Sequence, residues 1–289
     1  MRSQRTSPAS PLAAVVMAVM TAMTVVAATA HGGSTELLDL GRIDARTGAL
    51  LVAGEGGGQI DGAAVWRLRP GQPEGRSTVE TVVEIDGTSL LEDSPTGRVP
   101  IVLAAYVFDT DRKLVAHLSK GVLLEGPTRQ RVRDTGLRWI DRVRLGAGAY
   151  SIRLVARNHR TDRVFLARLE VTVPGAADDT AEILPPLVDA PPSGWVDARP
   201  PEATDDDTTA PPARPVITEG KPIGLRIATT GGVEPLELRA RLVDVAGRTV
   251  AEPRLEPNAA TESESPYRGF RLGAVDLPAG RYGLVVRRP

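Results

Sequence analysis

Arginine is concentrated in one short segment, and no other residue pattern in the chain has clearer binding chemistry. Six arginines fall within sixteen positions: Arg129, Arg131, Arg133, Arg138, Arg142 and Arg144. Alternation along a strand from Leu137 to Leu145 places three of them on one face, namely Arg138, Arg142 and Arg144. Guanidinium groups bind carboxylates and phosphates through paired hydrogen bonds. We therefore predict a solvated cationic face that could hold an acidic glycan or lipopolysaccharide; the alternative is a surface without a ligand, neutralised by neighbouring aspartates.

Familiar catalytic signatures are missing from the sequence. It contains no Gly-x-Ser-x-Gly, Ser-x-x-Lys or His-Glu-x-x-His motif. The three histidines, His31, His117 and His159, are too far apart for a His-based metal site. The acidic run at 205–207 lacks the turn glycine and distal acid of a calcium loop. We expect no enzyme activity, no cofactor and no metal, with a hydrolase that uses two carboxylates distant in sequence as an alternative.

Aromatic side chains are rare, at 3% of the chain. A carbohydrate-binding module needs exposed aromatic rings against which sugars can stack, and only Trp66, Trp139 and Trp195 are candidates. This function is a further alternative, and it requires that the tryptophans form an exposed platform.

The segments that would position these side chains occur twice in the same order. A hairpin with an aspartate at its turn lies at 105–116 and again at 240–251. A Gly-containing turn and a tyrosine follow each hairpin: Tyr150 lies 41 positions after Asp109, and Tyr282 lies 38 positions after Asp244. The recurrence indicates two related all-β modules in tandem. Both tyrosines are predicted to be structural tyrosine corners, in which the phenol bonds to upstream backbone.

Alternating apolar residues predict strands through most of the chain, and hence an all-β fold of two tandem immunoglobulin-like β-sandwich domains. Predicted strands of the first domain are 49–53, 63–68, 79–85, 101–108, 114–124, 137–145, 150–156 and 165–173; those of the second are 222–229, 236–245, 248–252, 269–276 and 281–287. The segment at 101–108 is apolar on both faces, which favours a central strand in a sheet covered on both sides. A single helical turn is expected near 129–134.

The predicted organisation has four parts: a signal peptide at 1–30, a β-sandwich at 31–175, a Pro/Asp-rich linker at 176–214 that is partly docked, and a smaller β-sandwich at 215–289. A basic start, an apolar stretch and Ala28-Thr29-Ala30 predict cleavage before His31. A retained membrane anchor is the alternative. The Gly-rich segment at 31–75 either completes the first sandwich or forms an arm.

The charge and the absence of cysteine limit the partners and the compartment. The formal net charge is −1, and removal of Arg2 and Arg5 with the signal peptide makes it more acidic by two. Near-neutral charge gives no general attraction to nucleic acid or anionic membranes. We expect a mature chain with no membrane span, located in the periplasm, at the cell surface or outside the cell, and acting on an unknown protein or envelope glycan. Because there is no cysteine, disulfides, thiol catalysis and a lipoprotein anchor are excluded.

A family resemblance covers the chain from about residue 60 onward. The segment 99–173 resembles the β-sandwich region that follows the von Willebrand A domain in acidobacterial VWFA-related proteins, through its hairpin, Gly136-Leu-Arg-Trp139 and Leu145-Gly-Ala-Gly-Ala-Tyr150. Leu184-Pro-Pro-Leu187, Gly194-Trp-Val196 and the module at 220–286 are similar to the same region. The resemblance implies a bacterial origin, which the near-absence of lysine (only Lys113, Lys120 and Lys221) also favours. The family's Asp-x-Ser-x-Ser adhesion motif is missing, since Asp86-Gly-Thr-Ser-Leu90 departs from it.

Overall fold

The structure is a computed structural model that describes residues 14–16, 48, 51, 58–69, 76–94, 96–175, 183–189, 194–198, 211–213, 215–218, 220–229, 237–258 and 267–287. The elements up to residue 175 are β1 (Ala14–Val16), β2 (Gly62–Arg69), β3 (Arg76–Ile85), α1 (Gly87–Leu90), β4 (Val99–Phe108), β5 (Leu114–Leu124), α2 (Gly126–Thr135), β6 (Leu137–Gly146), β7 (Gly148–Asn158) and β8 (Val164–Val173). Those that follow are β9 (Leu187–Asp189), β10 (Val196–Ala198), β11 (Val216–Thr218), β12 (Ile223–Ala228), β13 (Arg239–Val243), β14 (Thr249–Ala251), β15 (Leu255–Pro257), β16 (Tyr267–Leu272) and β17 (Gly283–Arg287). The prediction of an all-β chain is confirmed.

The strands form two pairs of sheets and one small two-stranded sheet. The first pair consists of β10-β6-β3-β2 and β5-β4-β7-β8, and the second of β15-β16-β12-β9 and β14-β13-β17. The alternating apolar residues of the first two sheets share one core, which includes Trp66, Val83, Leu103, Trp139 and Ile152. Strand β4 lies between β5 and β7 and is buried on both faces, as its apolar sequence predicts. A separate core, around Leu225, Leu242 and Phe270, lies within the second pair.

The repeat in the sequence is also a repeat in strand pairing. Strand β4 pairs with β5 and β7, and β13 pairs in the same way with β14 and β17. Strand β3 lies between β2 and β6, and β12 lies between β9 and β16. The two hairpin turns also match. Asp109 accepts the amide of Lys113 at 2.9 Å, and Asp244 accepts that of Arg248 at 3.0 Å.

Several local predictions differ from the structure. The strand predicted at 269–276 is β16, which ends at Leu272. Leu51 is helical and buried against the sheet that contains β4, so the strand predicted at 49–53 is wrong at that residue. The single helical turn expected near 129–134 is the ten-residue helix α2. A proline fits the first turn of α2 because proline has no amide hydrogen that would need a partner there. Gly136, with φ 90°, ends the helix.

The chain crosses between the two pairs of sheets more than once. After β8 it joins the second pair through β9, which hydrogen-bonds to β12. It then returns to the first pair, where β10 adds to β6 as a parallel strand. It leaves again to form β12. The predicted linker therefore supplies a strand to each pair of sheets.

Residues 14–16 are the described part of the predicted signal peptide. They form β1, which pairs antiparallel with β11, so cleavage before His31 would remove the partner of β11. Within the described ranges, no helix has the length and apolar character needed to cross a membrane.

Candidate functional site: the charged face and an open edge

The predicted arginine surface lies on the side of the β10-β6-β3-β2 sheet that faces away from the core. Strand β3 directs Val79 and Val83 into the core and Glu80 and Glu84 to the opposite side. We call this side the charged face. The charged residues discussed below are Arg67, Arg69, Glu80, Glu84, Arg138, Arg142 and Arg144; the register puts Arg76 and Asp197 on the same side.

The strand register determines which charges meet. Glu80 lies directly opposite Arg67 on β2 and Arg142 on β6. Its buried carboxylate is 2.6 Å from Nε of Arg67, 2.8 Å from Nε of Arg69 and 3.0 Å from Nε of Arg142. One carboxylate therefore joins three strands through three guanidinium groups.

The electrostatics of Glu80 favour its ionised form. Burial acts to raise the pKa of Glu80, but the charges and hydrogen bonds of Arg67, Arg69 and Arg142 together outweigh burial, and the pKa is lowered. Burial lowers the pKa of Arg67, against the opposing effect of Glu80. The cluster thus sets one ionised carboxylate among three guanidinium groups.

The second ion pair of the charged face attaches the end of the linker. Arg138 lies opposite Glu84 in the register, and its Nε is 3.5 Å from Oε1 of Glu84. A second nitrogen of Arg138 donates to the carbonyl of Pro211 at 3.2 Å. Ala213 is buried nearby against Val82 and Ile140. Residues 211–213 therefore cover part of this face.

The prediction that Arg138, Arg142 and Arg144 form one solvated surface is wrong for Arg138. The exposed fraction of Arg138 is 6%, the side chain of Arg142 is about one-third exposed at 32%, and Arg144 is exposed. The reason is that Glu84 and Glu80, rather than the aspartates of the arginine segment, neutralise the first two. Arg131 and Arg133 lie on α2, apart from this face.

The second pair of sheets reaches the edge of the charged face through Tyr267. Its phenol oxygen accepts the backbone N–H of Leu68 at 3.2 Å. Burial raises the pKa of Tyr267 to about 12, so the phenol stays protonated at neutral pH. Arg281 forms a further ion pair with Asp61 between the two halves of the chain.

The tryptophans do not form a sugar-binding platform. Trp66 and Trp139 are 3% and 1% exposed and belong to the core. Trp195 is half-buried and packs on Gly136, where a Cβ would lie 1.9 Å from the indole ring. Stacking of a sugar would require exposed ring faces, which the two core tryptophans lack.

The histidines and carboxylates are also dispersed. His117 is exposed and stacks on Tyr106, with 4.6 Å between ring centres, and His159 lies in the turn after β7. Among the residues that the structure describes, no group of three or more His, Asp or Glu side chains is placed to hold a metal ion. Asp205–Asp207 and His31 lie outside those residues.

Glu80 and Glu84 are four residues apart on one face of β3, so their backbone attachment points are separated by about 13 Å. Each also pairs with arginine. The arrangement is suited to joining strands.

Both predicted corner tyrosines bond to backbone four residues upstream. The phenol of Tyr150 donates to the carbonyl of Gly146 at 3.1 Å, and that of Tyr282 to the carbonyl of Pro278 at 2.8 Å. Tyr150 is the third residue of β7, and Tyr282 directly precedes β17. The two side chains hold equivalent turns in the two pairs of sheets.

Sequence reasoning missed the glutamates of the charged face. The alternation in 79–85 puts Glu80 and Glu84 on the side away from the valines, and that signal was available. Their pairing with arginines could not be read from one strand, because it depends on the register between three strands. Asp86 accepts the amide of Ser89 at 2.7 Å and caps α1, which gives this aspartate a local structural role.

A second surface is the outer strand β5. It forms one edge of the β5-β4-β7-β8 sheet. Its residues alternate between half-buried and exposed, and Val115 and Leu123 are 45% and 50% exposed. Among the described strands it pairs only with β4, with an irregularity near Val115.

Comparison with known proteins gives little. No protein-family model matches the chain, and no curated protein matches it significantly. A solved structure of a Bacteroides uniformis β-glucuronidase is similar over 38% of this chain and 13% of its own, with 15% identity and a TM-score of 0.27. A Bacteroides uniformis β-glucuronidase 2 covalently bound to cyclophellitol-6-carboxylate aziridine matches over the same shares, with 13% identity and a TM-score of 0.26. Likeness at this level bears on neither fold nor function.

Proposed function

We propose that the protein is a non-enzymatic, exported module of two tandem immunoglobulin-like sandwiches that acts as one stiff binding or spacer unit in the periplasm, at the cell surface or outside the cell. The observation that carries the proposal is that the side chains of the charged face make structural contacts. Its buried groups join strands and hold the linker in place, which is a structural use of side chains that could otherwise do chemistry.

The immunoglobulin-like assignment is supported by the strand order. In the first pair of sheets, β2-β3-β6 pack against β5-β4-β7-β8, and a tyrosine corner lies at the start of β7. This arrangement fits a seven-stranded sandwich of that class. The equivalent pairing of β9, β12, β13, β14, β16 and β17 supports a shorter second copy. The relation to VWFA-related proteins remains a prediction.

Stiffness is supported by contacts between the two sandwiches. Leu184, Leu187 and Tyr267 belong to the same apolar cluster as the core of the first sandwich. Domains within a chain move relative to each other unless their interface is extensive and apolar. A continuous apolar cluster, together with the Tyr267–Leu68 hydrogen bond, favours a fixed arrangement.

The test is a combined binding and turnover screen of the purified protein against peptidoglycan, lipopolysaccharide, and acidic and neutral glycans. We expect no product release from any of them. Salt-sensitive binding that is lost in Arg144→Glu but kept in Arg131→Glu would identify the exposed end of the charged face as the ligand surface. Arg131→Glu is the control because Arg131 is also exposed but lies on α2, apart from the charged face. Turnover of any glycan would contradict the proposal.

Export is tested separately by fractionation and N-terminal sequencing. We expect the exported protein to begin at His31. A protein that stays in the cytoplasm with Met1 or Arg2 at its start would contradict this part of the proposal.

A further inference from the structure

Two arginines at one end of the charged face do not join strands. Arg76 is the first residue of β3, Arg144 lies near the end of β6, and both are exposed. Among the residues that the structure describes, neither guanidinium group forms a hydrogen bond or an ion pair. Arg142 differs in this respect, since it pairs with Glu80. We propose that Arg76 and Arg144, together with the hydroxyl group of Thr78, bind one tetrahedral oxyanion: the sulfate or phosphate ester of a glycan.

The strand register brings these groups together. Arg69, Thr78 and Arg144 lie directly opposite one another on β2, β3 and β6, so they form one row on the same side of the sheet. Arg76 lies two residues from Thr78 along β3 and opposite Gly146 on β6. Arg76 and Arg144 are therefore diagonal neighbours across the β3–β6 pair, with attachment points about 7–8 Å apart. Thr78 is next to both of them.

The surface beside the two arginines leaves room for an anion. Gly146, opposite Arg76, has no side chain. Apart from its chain neighbours, a Cβ at Gly146 would have one atom within 4 Å, the phenol oxygen of Tyr150 at 3.9 Å. The space over Gly146 is therefore open next to Arg76 and Arg144.

No carboxylate lies opposite either arginine in the sheet. The residues that face Arg76 and Arg144 in the register are Gly146 and Thr78, which are both neutral. Glu80 lies in the next row along β3, but its carboxylate is already held by arginines of β2 and β6. Like charges on neighbouring strands repel each other. An anion bound between Arg76 and Arg144 would replace this repulsion with attraction to both.

The number of donors favours a tetrahedral oxyanion over a carboxylate. A guanidinium group can donate two parallel hydrogen bonds to a pair of oxygens, at N···O distances of about 2.7–2.9 Å. A carboxylate has two oxygens, which a single arginine can occupy, whereas a phosphate ester offers three acceptor oxygens, and a sulfate ester has the same shape. Such a group can bridge Arg76 and Arg144 and also accept the hydroxyl proton of Thr78. The inference rests on the proposed binding function, since it names the class of ligand for the exposed end of the charged face.

The first test compares anionic glycans as ligands of the purified protein at one ionic strength. The probes are κ-carrageenan oligosaccharides, which carry sulfate esters, lipopolysaccharide with and without its phosphate groups, and polygalacturonate, which carries carboxylates. We expect the sulfated or the phosphorylated probe to bind about tenfold more tightly than polygalacturonate, although polygalacturonate has more charges per sugar than κ-carrageenan. Removal of phosphate from lipopolysaccharide distinguishes the two sources of the oxyanion. Equal binding of polygalacturonate, or no binding of any probe, would overturn the proposal.

The second test examines whether one anion bridges the two arginines. Arg76→Gln and Arg144→Gln should each weaken binding of the preferred probe about tenfold. The double variant should lose less than the product of the two single losses, because the groups act on the same anion. Arg131→Gln is the control, since it removes the same charge from an exposed position on α2 and should leave the affinity unchanged. Multiplicative losses, with an equal effect of Arg131→Gln, would show general charge attraction and overturn the proposal.

Product release is measured in the same samples, which separates this inference from the proposed function. Glycan binding that is unchanged in both Arg76→Gln and Arg144→Gln would overturn the oxyanion site and leave the proposed binding function standing. Turnover of a glycan whose binding both variants weaken would contradict the non-enzymatic function and support the site.

Discussion

The two outer faces of the first sandwich are both partly covered, but by different chemistry. The charged face is filled by arginines around Glu80 and Glu84. The outer side of the other sheet, which we call the apolar face, is formed by Ala104, Tyr106, Phe108, Val155, Val164 and Leu166, with Leu51 packed on it. Burial of the charged face depends on matched charges, whereas burial of the apolar face depends mainly on matched volume. The apolar face holds one buried guanidinium, that of Arg153, which donates to the carbonyl of Leu51. Burial of a sheet face therefore does not by itself show whether charged or apolar side chains form that face.

The largest loss in the free energy of unfolding should follow removal of the Glu80 carboxylate from the charged face. Glu80→Gln leaves three guanidinium groups around a neutral amide, and breaking a buried ion cluster costs about 3–5 kcal/mol of the free energy of unfolding. Urea unfolding at pH 7 measures this loss. Glu92→Gln is the control: Glu92 pairs with Arg163, but its side chain is 54% exposed, so we expect about 0–1 kcal/mol.

Acidification should reduce the effect of that substitution. The folded-state pKa of Glu80 lies below its unfolded value. Its contribution is therefore complete above the ordinary glutamate pKa of about 4.3 and is lost as the pH falls through the folded-state pKa. We expect the stability difference between wild type and Glu80→Gln to shrink below about pH 4.3. A difference independent of pH down to complete acid unfolding would contradict this.

Truncation on the apolar face should be less costly and insensitive to pH. Leu51→Ala removes a side chain that is 2% exposed, and we expect a loss of about 2–4 kcal/mol. Val245→Ala, at a residue 83% exposed, should change the free energy of unfolding by less than about 0.5 kcal/mol. A negligible effect of Leu51→Ala would show that the apolar face does not depend on this cover.

The smallest expected effect concerns the contact beside the charged face. Tyr267→Phe removes one hydrogen bond and should cost about 1 kcal/mol. Tyr282→Phe removes a similar bond within the second sandwich, at a comparable cost. The variants are distinguished by hydrogen exchange, because only Tyr267→Phe should accelerate exchange of the Leu68 amide. Equal exchange at Leu68 in both would contradict a role for Tyr267 between the sandwiches.

The sequence predicted local features well where they depend on neighbouring residues. Strand β5 begins and ends at the predicted residues, Leu114 and Leu124, because alternation and flanking turn residues are local signals. The predicted side of β6 is correct for Arg138, but the predicted exposure of its side chain is wrong. Exposure depends on Glu84 from another strand and on Pro211 from the linker, and neither is near Arg138 in sequence. The strand predicted at Leu51 is wrong for a similar reason, because Leu51 packs on strands that are distant from it in sequence.

The crossing path of the chain has a consequence for how the protein could be divided. A fragment that ends near residue 175 would lack β10 and the segment at 211–213, and its complement would carry both without a sheet to receive them. Exchange of one sandwich by recombination would therefore have to replace two separated stretches of the gene at once. We therefore expect the two halves to be inherited together.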